Sequence, residues 1–274
     1  MHLDVTELRD FYGRPLGRVA RRLIGRRIHA IWPDVTGCSV LGIGYATPYL
    51  RPFLASAERV AAIMPAAQGV ITWPKEGPYR TCLADTTALP LPDECMDRVL
   101  VVHALETADS LRQTLRQIWR VTKVDGRILL VVPNRRSLWA RVESTPFGHG
   151  TPYSRSQIAR VLRDNLMAPE RVETTLFLPP VQWRFNLRAA GAFEVAGDRL
   201  WPQFAGVLVV EAKKQVYAEP IQTGRRFRLP QRVPAIARPA LTSATDTRSR
   251  NRSRSHLIRR EKRNSKDEDG CCRH

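Results

Sequence analysis

The run RILLVV at residues 127–132 constrains the fold more than any other stretch of this chain. It is apolar from Ile128 onward and lies between Gly126 and Pro133. A strand with one face in solvent alternates apolar and polar residues, whereas a strand covered on both faces is apolar throughout. The run therefore predicts a central strand of a parallel sheet that has helices on both faces.

Short apolar runs alternate with helical patterns along much of the chain. The predicted strands are 38–43, 59–64, 79–83, 97–102, 127–132, 171–178 and 205–212. The predicted helices after the first strand are 48–56, 108–122 and 154–165, with Asp109 or Ser110 near the start of the second and Ser154 as the N-cap of the third. Gly126 is expected to end a helix or turn. This βαβ spacing is typical of a layered α/β domain.

The N-terminal segment, residues 4–32, has a helical pattern with an expected break at Gly13 and Pro15. Its apolar residues recur at helical spacing and its arginines lie mostly on other faces. The pattern favours a helix that covers the sheet, with a basic helix on a membrane surface or RNA as the alternative. Residues 181–202, rich in Trp and Phe, indicate a helix pair or a packed hairpin.

The C-terminal segment differs in composition from the rest. Residues 216–274 contain 15 Lys and Arg against 6 Asp and Glu, within a chain of formal charge +18. Ser, Thr, Arg and Asn dominate after residue 243, so this segment lacks the apolar surface needed to fold. Three parts are expected: an N-terminal helical cap at 1–35, a folded domain at 36–214 and a disordered basic tail at 215–274. The tail is expected to make weak, non-specific contacts with nucleic acid or anionic surfaces.

Localisation and metal content are also constrained. The acidic N-terminus does not have the form of a signal peptide, and no run of about 18 apolar residues is present, so we expect a cytoplasmic protein without a transmembrane segment. The five cysteines and six histidines have no CxxC, HxxxH or HExxH spacing. We therefore expect no metal site built by the protein.

The stretch GCSVLGIGYATPYL at 37–50 has the form of a cofactor loop. An apolar strand leads into a turn that contains Gly42 and Gly44, and a helical pattern follows. Glycine at such a turn allows close approach of the backbone to a ligand. A third glycine of the G-x-G-x-x-G pattern would stand at Thr47, so a nicotinamide-dinucleotide dehydrogenase ranks low.

Four stretches together resemble the class I S-adenosylmethionine-dependent methyltransferases, over roughly residues 36–212. They are SVLGIGYATPYL, CLADTTALPLPDECMDRVLVVHALE, LRQTLRQIWRVTKVDGRILLVVPN and HGTPYSRSQIARVL, and they stand in the order and spacing of that family. The third, similar to the family's fifth-strand region, is the strongest match. The resemblance implies a Rossmann-like seven-stranded sheet with six parallel strands and an antiparallel last strand.

The resemblance also implies a cofactor, S-adenosylmethionine, at the carboxyl ends of the first strands. This agrees with the general location of ligands in open α/β sheets. The cofactor-binding residues implied are Gly42, Gly44, Tyr45, Met64, Asp85 and Thr86. Asp85 stands where the family has the acid that contacts the adenine amino group, although an aspartate in a turn can instead cap that turn.

The chain departs from the family pattern at two places. Gly42 replaces a usual acidic residue, and Ala46 and Pro48 replace usual glycines. No Asp or Glu occurs between Arg59 and Lys75, where a carboxylate normally accepts from the ribose hydroxyls, and Gln68 is the nearest polar substitute. One lost charge-assisted hydrogen bond is worth about 1.5–3 kcal/mol, which weakens such a site without necessarily abolishing it.

Two further groups are candidates for chemistry. His103 follows the fourth strand, where a neutral imidazole could take a proton from an acceptor, and Glu106 could pair with it. Either residue could instead have a structural role. His149 lies between glycines in a long loop, with Tyr153 nearby, and both are candidate substrate contacts.

The predicted function is therefore enzymatic methyl transfer to an unidentified acceptor. The alternative is a catalytically inactive methyltransferase-like fold that acts as a binding or regulatory subunit, with RNA contacts through its basic segments. The missing acids at 42 and 64 favour the alternative, whereas Asp85 and the fifth-strand region favour the enzyme.

Overall fold

The computed structural model describes residues 3–181 and 189–216. Seven strands in these ranges form one sheet. They are β1 (Ser39–Gly44), β2 (Arg59–Pro65), β3 (Thr81–Ala84), β4 (Met96–Val102), β5 (Thr122–Pro133), β6 (Met167–Thr175) and β7 (Val207–Lys214).

The strand order is β3-β2-β1-β4-β5-β7-β6. Strands β1 to β5 pair in parallel, and β7 lies antiparallel between β5 and β6. Six strands therefore point the same way and only the last is reversed, which confirms the predicted Rossmann-like sheet. Because the first five strands are parallel, their carboxyl ends lie along one edge.

Helices cover both faces of the sheet. They are α1 (Val5–Gly13), α2 (Pro15–Ile31), α3 (Thr47–Leu50), α4 (Leu111–Val121), α5 (Arg155–Asp164) and α6 (Ala190–Leu200). Shorter 3-10 turns span Arg51–Ala55, Trp139–Arg141, Pro146–Gly148 and Pro202–Phe204. One apolar core contains side chains of α1, α2 and α6, and the second contains side chains of α4 and α5. The two cores lie on opposite faces of the sheet, since side chains alternate along each strand.

Strand β5 has the environment that its apolar run predicts. Residues Ile128 to Val132 are all buried, with β4 on one side and β7 on the other. Gly126 does not end a helix, but it does close an irregular, turn-like stretch of β5, where the pairing with β4 passes from Thr122 to Arg127 while β4 advances only from Met96 to Arg98. Helix α4 ends at Val121 and the chain is already extended at Thr122, which pairs with Met96. Gly126 thus lies within the strand.

The helix predicted at 48–56 is shorter than expected. Only Thr47–Leu50 is α-helical, and a 3-10 turn continues from Arg51 to Ala55. Proline has no N–H to donate and clashes with the preceding turn. Pro48 is tolerated in the first turn, but Pro52 follows too closely for a regular helix to continue.

The N-terminal helices cover the sheet, as the first interpretation of their pattern predicts. Helix α1 ends at Gly13 and α2 begins at Pro15, so the expected break is confirmed. The apolar stripe of α2, which includes Leu16, Ile24 and Ile28, is buried in the same core as α1. Both helices therefore belong to the packed domain.

The remaining boundaries follow local signals. Ser154 caps α5 by accepting from the Gln157 N–H at 3.2 Å, and the Gln157 side chain accepts in return from the Ser154 N–H at 3.0 Å.

Of the segment predicted at 181–202, α6 is observed at 190–200, and residues 182–188 lie outside the described ranges. The predicted tail also lies outside them from residue 217 onward. Among the described residues, no helix combines the length and apolar character that a bilayer crossing requires.

Candidate active site

The predicted cofactor and catalytic residues come from the ends of β1 and β2 and from loops at the same edge of the sheet. Gly44 at the end of β1 lies opposite Val102 at the end of β4, and Pro65 at the end of β2 lies opposite Ala84 at the end of β3. Loops that leave parallel strands at the same edge form the crevice in which ligands of open α/β sheets bind. We call this region the carboxyl edge.

Position 44 accommodates only glycine without strain. Its φ is +78°, and an added Cβ would overlap the carbonyl oxygen of Val102. The next residue, Tyr45, donates its N–H to the same oxygen at 2.8 Å. The turn after β1 is therefore bound to β4 by its backbone, and a side chain at 44 has no room.

Gly42 serves a different purpose. A Cβ there would lie 2.6 Å from the Leu50 side chain and 2.8 Å from Ala46. The missing side chain lets α3 approach β1 closely. An acidic side chain at this position would require Leu50 and Ala46 to shift.

Tyr45 is covered by the N-terminal helix. The Tyr12 ring of α1 stacks on the Tyr45 ring, with centroids 5.5 Å apart and planes 13° from parallel. Tyr49 meets Tyr12 edge-on at 6.1 Å, and its hydroxyl donates to that of Tyr12 at 3.1 Å. The first turn of the carboxyl edge thus lies beneath α1.

His103 and Glu106 form a buried pair, as their spacing allowed. The His103 Nδ1 is 3.0 Å from the Glu106 Oε1, and the side chains are 3% and 2% exposed. On its other side, His103 Nε2 lies 2.8 Å from the Tyr12 hydroxyl. His103 has φ +52°, which histidine tolerates better than most residues, and Gln68 Nε2 donates to its carbonyl oxygen at 2.5 Å.

The donor and the acceptor of each hydrogen bond in this network can be assigned. The Tyr12 hydroxyl accepts from Tyr49, which directs the Tyr12 hydrogen at His103 Nε2, and Nδ1 of the same ring then donates to Glu106. Glu106 therefore holds the tautomer in which Nε2 can take a proton.

Two oxygens in this region lack a donor. Gln68 Oε1 and Glu106 Oε2 are buried and have no hydrogen-bond partner among the residues described. A buried acceptor left unpaired costs about 1–3 kcal/mol, and such groups are rare in native proteins.

Met64, also predicted at this edge, lies at the end of β2. Its side chain is buried, and its sulfur accepts from the Ile71 N–H at 3.5 Å.

Asp85 and Thr86 follow β3 at the same edge. The Asp85 side chain is exposed, and its Oδ1 accepts from the Thr87 N–H at 2.8 Å. Hydrogen bonds from the backbone and the side chain of Thr87 hold the pKa of Asp85 below its usual value. Thr86 shares a hydroxyl–hydroxyl bond of 3.1 Å with Thr114. The aspartate thus caps its own turn, with its second oxygen free of any contact described here.

The loop after β5 brings Tyr153 to the carboxyl edge, whereas the His149 side chain bonds within that loop. The Tyr153 hydroxyl donates to the Leu105 carbonyl at 3.3 Å, whereas His149 Nε2 bonds to the Glu143 carbonyl at 2.6 Å within its own loop. Thr151 donates to the Glu106 carbonyl at 2.8 Å. The loop therefore fixes the backbone of Glu106.

The residues that the sequence interpretation missed are Tyr12, Tyr49 and Phe147. The Phe147 ring lies 5.0 Å from that of His103 and 5.5 Å from that of Trp139. Tyr12 and His103 are 91 positions apart, so no local pattern could have paired them. The available signal was a tyrosine, with its polar hydroxyl, in the apolar stripe of α1.

Burial raises the pKa of the tyrosines here. It raises that of Tyr12 well above its usual value and that of Tyr45 to about 12. For Tyr153 burial is again the main cause, with the Glu106 charge second, and its pKa is about 12. These phenols are therefore neutral hydrogen-bonding groups at physiological pH.

We expect the protein to lose stability between pH 10 and pH 12 through these phenols. Above pH 10 the unfolded chain releases a proton that the folded chain retains, so the free energy of unfolding falls as pH rises. Each buried phenol contributes a slope of about 1.4 kcal/mol per pH unit in this window. Tyr45→Phe should remove one such contribution, since no described residue bonds to its hydroxyl. Urea unfolding at several alkaline pH values measures the slope.

The control for this prediction is Tyr79→Phe. The Tyr79 side chain is 69% exposed, so this variant removes a phenol that folding leaves in solvent, and its slope is the reference for Tyr45→Phe. An equal slope in the wild-type protein and Tyr45→Phe would contradict the assignment of a buried phenol at position 45.

The sheet and its carboxyl edge have the architecture of a known fold. A sheet of order β3-β2-β1-β4-β5-β7-β6 with reversed β7, together with a glycine turn after β1 and acidic and polar residues after β3 and β4, is the fold of the class I methyltransferases. The comparisons with known proteins agree. Residues 37–130 match the family described as a methyltransferase domain.

Individual relatives extend the likeness over more of the chain. Malonyl-[acyl-carrier protein] O-methyltransferase of Pectobacterium atrosepticum is 26% identical over 147 residues, which cover 49% of this chain and 58% of that protein. The crystal structure of a SAM-dependent methyltransferase from Thermotoga maritima has a TM-score of 0.51 at 16% identity, over 77% of this chain and 96% of that one. A SAM-dependent methyltransferase from Archaeoglobus fulgidus also gives 0.51, at 19% identity, over 71% and 94%. Residues 37–130 are thus similar to a methyltransferase domain, and the described part of the chain has the fold of the solved SAM-dependent methyltransferases.

Proposed function

We propose that this chain transfers a methyl group from S-adenosylmethionine to a nucleophilic acceptor. The observation that carries the proposal is the pair of buried oxygens without donors, Gln68 Oε1 and Glu106 Oε2, at the carboxyl edge beside the Gly44 turn. A cofactor with an ammonium group and ribose hydroxyls has the donors that both oxygens need. Binding would relieve their unfavourable burial.

Gln68 fits the place of the missing ribose acid. It follows β2 at the edge where the cofactor's ribose is expected, and it is buried. Its Nε2 is engaged by the His103 carbonyl, which leaves Oε1 as an acceptor for a ribose hydroxyl. A neutral amide accepts more weakly than a carboxylate, so we expect weaker affinity than a ribose acid would give.

Asp85 fits the adenine end. Its Oδ1 is engaged by the turn that it caps, and Oδ2 faces no described donor. Capping a turn and accepting from an adenine amino group are therefore compatible uses of one carboxylate. Tyr45, whose hydroxyl also lacks a described partner, adds an aromatic wall to the same edge.

The chemistry proposed is an in-line displacement. When bound, the cofactor supplies an electrophilic methyl group on a sulfonium. The chain positions the acceptor, and His103 Nε2 takes its proton where the nucleophile is an O–H or N–H group. Glu106 orients His103 and stabilises the imidazolium that forms. Because Tyr12 donates to Nε2 in this structure, α1 or the Tyr12 side chain must shift before Nε2 can reach an acceptor.

Calorimetric titration of the full chain with S-adenosylmethionine and S-adenosylhomocysteine tests the cofactor part. We expect micromolar binding that Asp85→Ala weakens by about tenfold or more, as the loss of a charge-assisted hydrogen bond predicts. Asp34→Ala is the matched control. Asp34 forms the same kind of turn, accepting from the Thr36 N–H at 2.9 Å, but it precedes β1 at the opposite edge.

Absence of binding at ligand concentrations up to about 1 mM, in a protein shown to be folded, would contradict the proposal. That result would favour the alternative, a methyltransferase-like fold that acts as a binding or regulatory subunit. Equal effects of Asp34→Ala and Asp85→Ala would instead show that the aspartate acts only through its turn.

A further inference from the structure

A second concave site lies between the 3-10 turn at 139–141 and helix α6. It is a cavity of about 480 Å³, and we call it the α6 groove. This volume is within the range of about 300–1,000 Å³ that is usual for small-molecule sites. Every residue that forms it is among those described.

The walls of the groove are apolar and aromatic. Trp139 is buried and lines the inner side, where its Nε1 donates to the Leu178 carbonyl at 2.7 Å. Phe193 of α6 also lines the groove, and Leu138, Trp201 and Phe204, which are 58%, 56% and 54% exposed, line it as well. Apolar and aromatic side chains so exposed around a cavity mark a surface that binds a partner or ligand.

Two arginines line the same groove without a carboxylate partner. Arg136 donates to the neutral Gln203 Oε1 at 2.7 Å, and Arg141 has no described side-chain contact. Neither forms an ion pair with any residue in the described ranges. Guanidinium groups bind carboxylates and phosphates through two parallel hydrogen bonds. The groove thus combines an apolar interior with uncompensated positive charge.

The groove is separate from the candidate active site. Trp139 forms its inner wall and packs against Phe147 at 5.5 Å, which in turn packs against His103 at 5.0 Å. Two aromatic rings therefore stand between the groove and the His103–Glu106 pair. A ligand in the groove occupies space that the proposed methyl transfer does not use.

We propose that the α6 groove binds an anionic amphiphile, a molecule with an apolar chain and a carboxylate or phosphate group. The apolar chain lies against Trp139, Phe193 and Trp201, and the anion pairs with Arg136 and Arg141. A concave cavity can enclose a single bound molecule, whereas a flat membrane surface cannot enter it. The inference does not depend on methyl transfer, because it concerns binding alone.

The test uses tryptophan fluorescence of the full chain, because Trp139 and Trp201 line the groove. Dodecanoate, dodecyl phosphate, dodecanol and dodecyltrimethylammonium are titrated below their micelle-forming concentrations. We expect both anions to bind about tenfold or more tightly than dodecanol, since a charge-assisted hydrogen bond adds to the same apolar burial, and the cation to bind most weakly. The ratio of the two anions identifies the preferred head group.

Variants locate the site. The double substitution Arg136→Gln with Arg141→Gln should reduce the affinity for dodecanoate to that for dodecanol and leave dodecanol unchanged. Ala196→Phe, on the wall that α6 contributes, should block all probes. Arg199→Gln is the matched control, because Arg199 is also exposed on α6 but does not line the groove.

Three results would overturn the proposal. The first is equal affinity for anionic, neutral and cationic probes, and the second is binding that survives Ala196→Phe. The third is adsorption to anionic phospholipid vesicles without binding of monomeric dodecanoate, which would show a membrane-contact surface. Circular dichroism confirms that each variant is folded, and binding of S-adenosylhomocysteine is measured separately.

Discussion

Replacing Gly44 with alanine is expected to lower the free energy of unfolding by about 4 kcal/mol or more, an exceptional effect for one methyl group. A residue with a side chain at φ +78° is strained, and its Cβ would overlap the Val102 carbonyl oxygen. That oxygen belongs to β4 and accepts the Tyr45 N–H. Relief of the overlap therefore requires the turn after β1 to separate from the neighbouring strand. Urea unfolding measures the change.

Gly77→Ala separates the two causes. Gly77 has φ +84°, close to that of Gly44, but an added Cβ meets no atom within 4 Å. In this variant the free energy of unfolding should fall only by the cost of the backbone conformation, about 1–2 kcal/mol. If the two variants lost equal stability, the close approach of β4 to position 44 would be refuted. The same experiment would then assign the whole effect to backbone strain.

Replacing His103 with asparagine is expected to slow methyl transfer by about 100-fold or more, the usual contribution of a general base. Asparagine is chosen because it tolerates positive φ, and His103 has φ +52°. The substitution removes the Nε2 acceptor and should leave S-adenosylhomocysteine affinity nearly unchanged. Transfer of a labelled methyl group from S-adenosylmethionine into a cell extract, which supplies the acceptor, gives the rate.

Glu106→Gln tests whether Glu106 acts through His103. The amide oxygen can still accept from Nδ1, but the charge that stabilises an imidazolium is lost, so a decrease of about tenfold is expected. Tyr12→Phe removes the hydrogen bond to Nε2 and should not slow transfer, because Tyr12 competes with the acceptor for that atom. An unchanged rate in His103→Asn would show that positioning alone accounts for the reaction.

Most of the fold could be predicted because its signals are local. The apolar run at 127–132 requires burial on both faces, and the break between α1 and α2 follows from Gly13 and Pro15. Errors occurred where neighbouring elements determine the outcome. Gly126 lies within β5 because Thr122 already pairs with β4, which shifts its register there. The short helix after β1 is a different case, because Pro48 and Pro52 are a local signal that the prediction of 48–56 did not weigh.

The candidate site could be predicted only in part. Gly44, His103 and Glu106 lie together at the carboxyl edge because Gly44 ends one parallel strand and the other two follow another, and strand ends can be read from apolar runs. The role of Gln68, by contrast, depends on which of its two polar atoms is engaged. Only the packing of the loop after β2 against the end of β4 determines this.

The sequence alone determined the layered α/β class, the parallel core strands and the order of the loops at the carboxyl edge, because hydrophobic periodicity and turn chemistry act over a few residues. The tertiary structure alone decided that Tyr12 of α1 stacks on Tyr45 and donates to His103, and that α6 forms a groove against Trp139. These contacts join residues many positions apart. They depend on how whole helices pack on the sheet, which no short stretch of sequence specifies.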